Sequence, residues 1–133
     1  MSTIQHQLWI RIASVFGFLG VATGAFGAHG LKNMVTPERL EVFQTGSRYC
    51  LVHAVVLLIV GIMAQQKDSL WINRAGWGFS IGVLIFSGSL WTLVLSDTGW
   101  LGAITPFGGV AMLFGWISLF LSTTQRDTGQ DNE

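Results

Sequence analysis

His53 is an imidazole set deep in a long uncharged stretch, with Tyr49 four residues before it and Cys50 three before it. Glu41, Thr45, Tyr49 and His53 recur at every fourth position, so on a continuous helix they form one slowly drifting polar stripe, with Arg48 at its flank. His29 closes the preceding uncharged stretch, and a hairpin of two helices would carry it towards the same membrane face. His29, Arg48, Tyr49 and His53 are therefore a candidate polar cluster, joined by Ser87 and Ser89 from a later stretch. Two chemistries suit such a set: hydrogen-bonding glue that fixes helix register, or a proton, ion or ligand site within a membrane. Cys50 and His53 are two ligands where a metal needs three or four, so no metal centre is expected. The chain has no nucleophile and base pair, phosphate-binding glycine loop, paired intramembrane carboxylates or HExxH helix. Catalysis has no foothold, and no cofactor is implied.

The elements that must position these residues are read from charge. Lys, Arg, Asp and Glu are absent from 12–28, 49–66, 75–96 and 98–125, and only 11% of the 133 residues are charged. A soluble domain carries about a quarter. About 20 apolar residues in a helix cross a hydrocarbon core of about 30 Å, and that requirement is met four times over. The reading is an all-α, polytopic integral membrane protein, a compact bundle of four transmembrane helices spanning about 9–28, 47–65, 74–95 and 104–122. Thr36-Pro37-Glu38 is a helix start, with a threonine cap, proline in the first turn and an acid at the positive dipole end. The second helix is thus expected to run from Pro37 to about Gln65, extended at its N-terminal end and able to bend at Gly46. One domain, 1–123, uses nearly the whole chain, and 124–133 reads as a polar, disordered tail.

Zero net charge and scattered basic residues exclude nucleic acid as a partner and leave the lipid bilayer as the evident one. Arg11 followed by an apolar run ending in small residues has the outline of a secretory signal, but the run reads as an uncleaved first span. Small residues that let helix backbones approach occur at Gly20 and Gly24, Gly78 and Gly82, and Ala111 and Gly115, each pair four apart. They are expected to pack helices within the chain, or to form the seam of a homo-oligomer or a larger membrane complex. Trp9, Trp71, Trp91 and Trp100 lie near span ends, where interfacial aromatic anchors belong. Arg11, Lys67, Arg74 and Arg126 fall on one side against Lys32, Arg39 and Arg48 on the other, which favours both termini in the cytoplasm.

The run Gly24-Ala25-Phe26-Gly27-Ala28-His29-Gly30-Leu31, followed by Phe43-Gln44-Thr45-Gly46, Tyr49 and His53-Ala54, resembles the signature of the YgdD-like family of small bacterial inner-membrane proteins. Phe86-Ser87-Gly88-Ser89-Leu90 and Thr105-Pro106-Phe107-Gly108-Gly109 are similar to its later segments, so the resemblance extends from about Ala13 to Leu121. Cys50 stands where that family more usually has Gln, and Trp91 where Tyr is commoner. The resemblance implies a multi-pass protein of the bacterial inner membrane and supplies no activity. Two functions stay open: a non-catalytic accessory or scaffold unit, and a small oligomeric transporter or channel with a polar path around His29 and His53.

Overall fold

The computed structural model describes residues 3–125 as four helices, α1 (Thr3–His29), α2 (Pro37–Gln66), α3 (Leu70–Ser96) and α4 (Thr105–Thr124). Short 3₁₀ turns, Leu31–Asn33 and Gly99–Ala103, join α1 to α2 and α3 to α4. All four helices are long and apolar enough to cross a membrane. The helix stops follow local chemistry. The Thr36 hydroxyl accepts from the Arg39 backbone N–H at 3.4 Å, Pro37 opens α2, and the helix continues through Gly46 to Gln66. Its 30 residues make about 45 Å, some 15 Å more than a hydrocarbon core. α3 ends at Asp97, which takes the left-handed conformation (φ 54°) usually left to glycine. α3 also starts one turn before the expected boundary at 74, with Arg74 over the Trp71 ring at 4.6 Å. Of the tail expected to be disordered, Thr124 closes α4, and 126–133 lie outside the described residues.

The helices pack in chain order, α1 on α2, α2 on α3 and α3 on α4. α2 and α3 are central: 44% and 50% of their most apolar windows are buried, against 22% and 28% for the outer two. Unlike a water-soluble bundle, this one is apolar outside as well as inside and buries several hydroxyls. Ser47, Ser80, Ser87 and Ser118 are buried, while Phe18, Val21, Leu84, Val110 and Phe120 face outward. Lipid is as apolar as leucine, so closeness of packing and hydrogen bonding, not hydrophobicity, decide what goes inside.

Glycine sets the contacts. A Cβ on Gly78 would lie 2.9 Å from the Gly115 backbone and 3.0 Å from Ala111 O, and one on Gly82 would meet Met112 and the Gly108 carbonyl. Between α1 and α2 close points include Gly20 against Leu51 and Gly27 against Gln44 and Phe43, seven residues apart on each helix, and Gly61 against Ile10 and the His6 carbonyl. Gly24 joins this seam through its carbonyl, which accepts from Gln44 Nε2 at 3.2 Å, and not through the close backbone approach that GxxxG spacing predicts. A Cβ there meets no atom within 4 Å, because the closest approaches fall at Gly20 and Gly27 and the Cβ position of Gly24 points off that line.

Trp9 and Trp91 also depart from the expected anchor role. Trp9 is fully buried against Gly76 and edge-on to Trp77 at 5.2 Å, since the missing Cβ of Gly76 makes room for the indole. The half-buried Trp91 aims its N–H inward, at Ser47.

Candidate polar site

A hydrogen-bond chain of one indole and two hydroxyls runs through the first three helices. Trp91 Nε1 can only donate, and it lies 3.3 Å from Ser47 Oγ. Ser47 Oγ lies 2.8 Å from Thr23 Oγ1, a pair in which either hydroxyl can donate, and each also has a carbonyl of its own helix in reach, Phe43 O at 3.4 Å for Ser47 and Leu19 O at 2.7 Å for Thr23. Ser87 Oγ donates to Gly46 O at 2.7 Å, a second α3–α2 link beside the first. Ser89 Oγ lies 2.7 Å from Thr105 Oγ1 and joins α3 to α4. Cys50 Sγ donates to Phe16 O at 3.3 Å across the α1–α2 seam.

His53 is buried and its state follows from the same argument. Trp116 Nε1 lies 3.3 Å from His53 Nε2, and an indole N–H only donates, so Nε2 accepts. The proton then resides on Nδ1, which donates to Tyr49 O at 2.8 Å. This neutral tautomer satisfies both ring nitrogens. The ring is stacked with Tyr49 and stands edge-on to Trp116, at centroid distances of 6.1 and 6.0 Å. Tyr49 in turn meets Phe86 at 4.5 Å.

Most of the other expected members lie elsewhere. In the α1–α2 register, Gly27 lies by Gln44 and Gly20 by Leu51, so His29 is level with about residue 42. That is some 11 residues, or about 17 Å, along α2 from His53. His29 is exposed, and it does not join His53. Arg48 is exposed as well. Its Nη2 pairs with Glu41 Oε1 and reaches Thr45 Oγ1 at 3.2 Å, directed away from His53 towards the start of α2. Ser87 faces α2 and Ser89 faces α4, so of the six expected members Arg48, Tyr49 and His53 line one pocket of about 210 Å³, while His29, Ser87 and Ser89 lie apart from it. Among the described residues no group of three His, Cys, Asp or Glu side chains is placed to hold a metal.

Residues 23–109 match a family model described as a protein of unknown function, DUF423. A UPF0382 membrane protein of Staphylococcus aureus (strain bovine RF122 / ET3-1) is 40% identical over 117 residues, 88% of this chain and 95% of that protein. The UPF0382 membrane protein YwdK of Bacillus subtilis (strain 168) is 36% identical over 120 residues, 90% of this chain and 98% of its own length. The chain belongs to the DUF423 family. No solved structure matches it.

As a DUF423 protein it is a membrane protein of an uncharacterised family, in agreement with its four membrane-length helices. The matched segment holds most of the polar network, from Thr23 to Thr105, but ends before Trp116. Three features of this DUF423 chain escape a reading of sequence alone. Thr23, Ser47 and Trp91 are distant in sequence and individually ordinary, so only the folded register unites them. Trp116 was an unremarkable aromatic until α4 placed it on His53. Arg39 Nη1 pairs with Asp97, and its Nη2 donates to Val94 O at 2.7 Å and Leu93 O at 3.3 Å, closing the C-terminal end of α3. A cation within reach of terminal carbonyls is the one signal that could have suggested it.

Proposed function

We propose that this protein is a non-catalytic accessory or scaffold unit of the bacterial inner (cytoplasmic) membrane, multi-pass, with both termini in the cytoplasm. One observation carries the reading: the buried polar groups of the candidate cluster, together with Thr23 and Ser47, are engaged in holding helices together, whereas Ser118 Oγ is buried without a partner among the described residues. His53 is satisfied on both nitrogens, Ser87 and Ser89 are committed to α2 and α4, and Thr23 and Ser47 are links of one chain. The outer helices α1 and α4 turn large apolar side chains outward, among them Phe18, Val21, Val110 and Ile117. Such faces suit lipid, a second copy or a larger membrane complex. The alternative, an oligomeric transporter, needs a line of free polar groups, and the separation of His29 from His53 counts against it.

Proteoliposomes holding the purified protein should show no proton or cation flux above that of empty vesicles. A flux present in the wild type and lost in His53→Leu would overturn the scaffold reading. For topology, reporter fusions after Gln66 and after Arg126 should both read cytoplasm, and a periplasmic or external signal from either reverses the orientation.

A further inference from the structure

We propose that the outer side of α2 between Glu41 and Tyr49 binds one zwitterionic phospholipid with a primary ammonium headgroup. Depth places these residues where a headgroup lies. Twenty residues of helix cross about 30 Å, so measured back from Gln66 the edge of the hydrocarbon falls at about Gly46. Arg48 and Tyr49 stand at that edge, and Glu41 stands more than a turn outside it. The Arg48 guanidinium extends towards Glu41 and Thr45, as a cation near the boundary does.

The order of groups matches one lipid chemistry. From the water inward, α2 presents a carboxylate, a guanidinium and a phenol. A zwitterionic phospholipid presents an ammonium, a phosphate and an ester carbonyl. The protein groups have capacity to spare: Arg48 and Glu41 are 58% and 66% exposed, and their mutual pair uses only one nitrogen and one oxygen. Tyr49 is 44% exposed, and its hydroxyl has no protein partner among the described residues, while its ring is held between His53 and Phe86. Next to Tyr49, a cleft of about 340 Å³ runs between α2 and α4, lined by His53, Phe86, Gly109, Met112 and Trp116. Its walls are mainly apolar, and Gly109 leaves one of them open, since a Cβ there would meet nothing within 4 Å. An acyl chain fits that cleft. An anionic lipid without an ammonium would bring its phosphate near Glu41 with Arg48 shared between the two anions, and a quaternary ammonium has no N–H to donate to the carboxylate.

The test is native mass spectrometry of the full-length protein from micelles charged with equal amounts of phosphatidylethanolamine, phosphatidylglycerol and phosphatidylcholine. Phosphatidylethanolamine should be retained roughly threefold to fivefold over either competitor, the scale of an exposed charge-assisted contact. Arg48→Gln should lower retention of all three lipids, and Tyr49→Phe should lower it to a smaller degree. Glu41→Gln should remove the preference for phosphatidylethanolamine over phosphatidylglycerol while leaving lipid bound. Both charged residues are exposed, so the variants are expected to keep the wild-type melting temperature, which is measured alongside. Equal retention of the three lipids by the wild type, preference for phosphatidylglycerol, a phosphatidylethanolamine preference unchanged in Glu41→Gln, or lipid retention unchanged in Arg48→Gln would each overturn the proposal.

Discussion

At His53 a single bond decides what the residue contributes. Replacing it by Leu keeps volume in the core but leaves the Trp116 indole N–H without its acceptor, a loss of about 0.5–1.5 kcal/mol for a bond that is part-buried. Trp116→Phe removes the donor, so the double variant should lose less than the two single losses added together. A coupling of about 0.5–1.5 kcal/mol is expected in a double-mutant cycle measured by denaturation in detergent. Strict additivity would mean that the two side chains only touch. Arg39 and Asp97 form an instructive contrast. Arg39 holds two terminal carbonyls of α3, so Arg39→Ala should cost about 1–2 kcal/mol, whereas its partner Asp97 is 85% exposed and adds little as an ion. Asp97 also occupies a left-handed backbone conformation that costs a non-glycine residue about 1 kcal/mol. Asp97→Gly is therefore expected to be close to neutral in the same measurement. A loss equal to that of Arg39→Ala would show that the carboxylate, not the carbonyls, is what the guanidinium holds.

Among the elements, glycine spacing was legible in one seam and misleading in the other. Gly78 and Gly82, four apart, meet Ala111, Met112 and the Gly108 and Gly115 backbones, because α3 and α4 approach along rows of every fourth residue. Gly20 and Gly24 have the same spacing, yet the α1–α2 line runs through Gly20 and Gly27, and sequence spacing alone holds nothing that selects between a four-residue and a seven-residue row. The difference is measurable. Gly78→Leu should destabilise the protein by about 2 kcal/mol or more, since the bulk meets backbone that cannot yield. Gly24→Ala should be neutral or stabilise by about 0.5–1 kcal/mol, because open space receives the methyl and the unfolded helix loses freedom. A large loss at Gly24 would place a partner on that face.

For the molecule as a whole, the four helices were legible because an unpaired charge in hydrocarbon is expensive, so the uncharged stretches mark the C-terminal ends of the helices to within a residue, although α1 and α2 start nine and twelve residues before theirs. The order of packing was not legible, because lipid and core are equally apolar and neither Phe18 nor Phe79 announces which way it faces. His29 was misplaced for the same reason: its end of α1 was known, but not the register that sets it about 17 Å from His53. Chain-order packing has a consequence that the lone thiol can report. Cys50 is buried in the α1–α2 seam, and α1 has little contact with α3 beyond Trp9 and its neighbours, so lifting α1 uncovers Cys50 while α3 and α4 stay joined. A lipid-soluble maleimide should react slowly with the wild type. Gly20→Leu forces α1 away from Leu51 and should speed labelling roughly tenfold or more, the ratio given by each 1.4 kcal/mol lost from the closed state. Gly78→Leu disturbs only the α3–α4 seam and should leave the labelling rate near that of the wild type, even where it lowers overall stability as much. Equal acceleration in the two variants would mean that the four helices open as one unit, and that the seams are not independent.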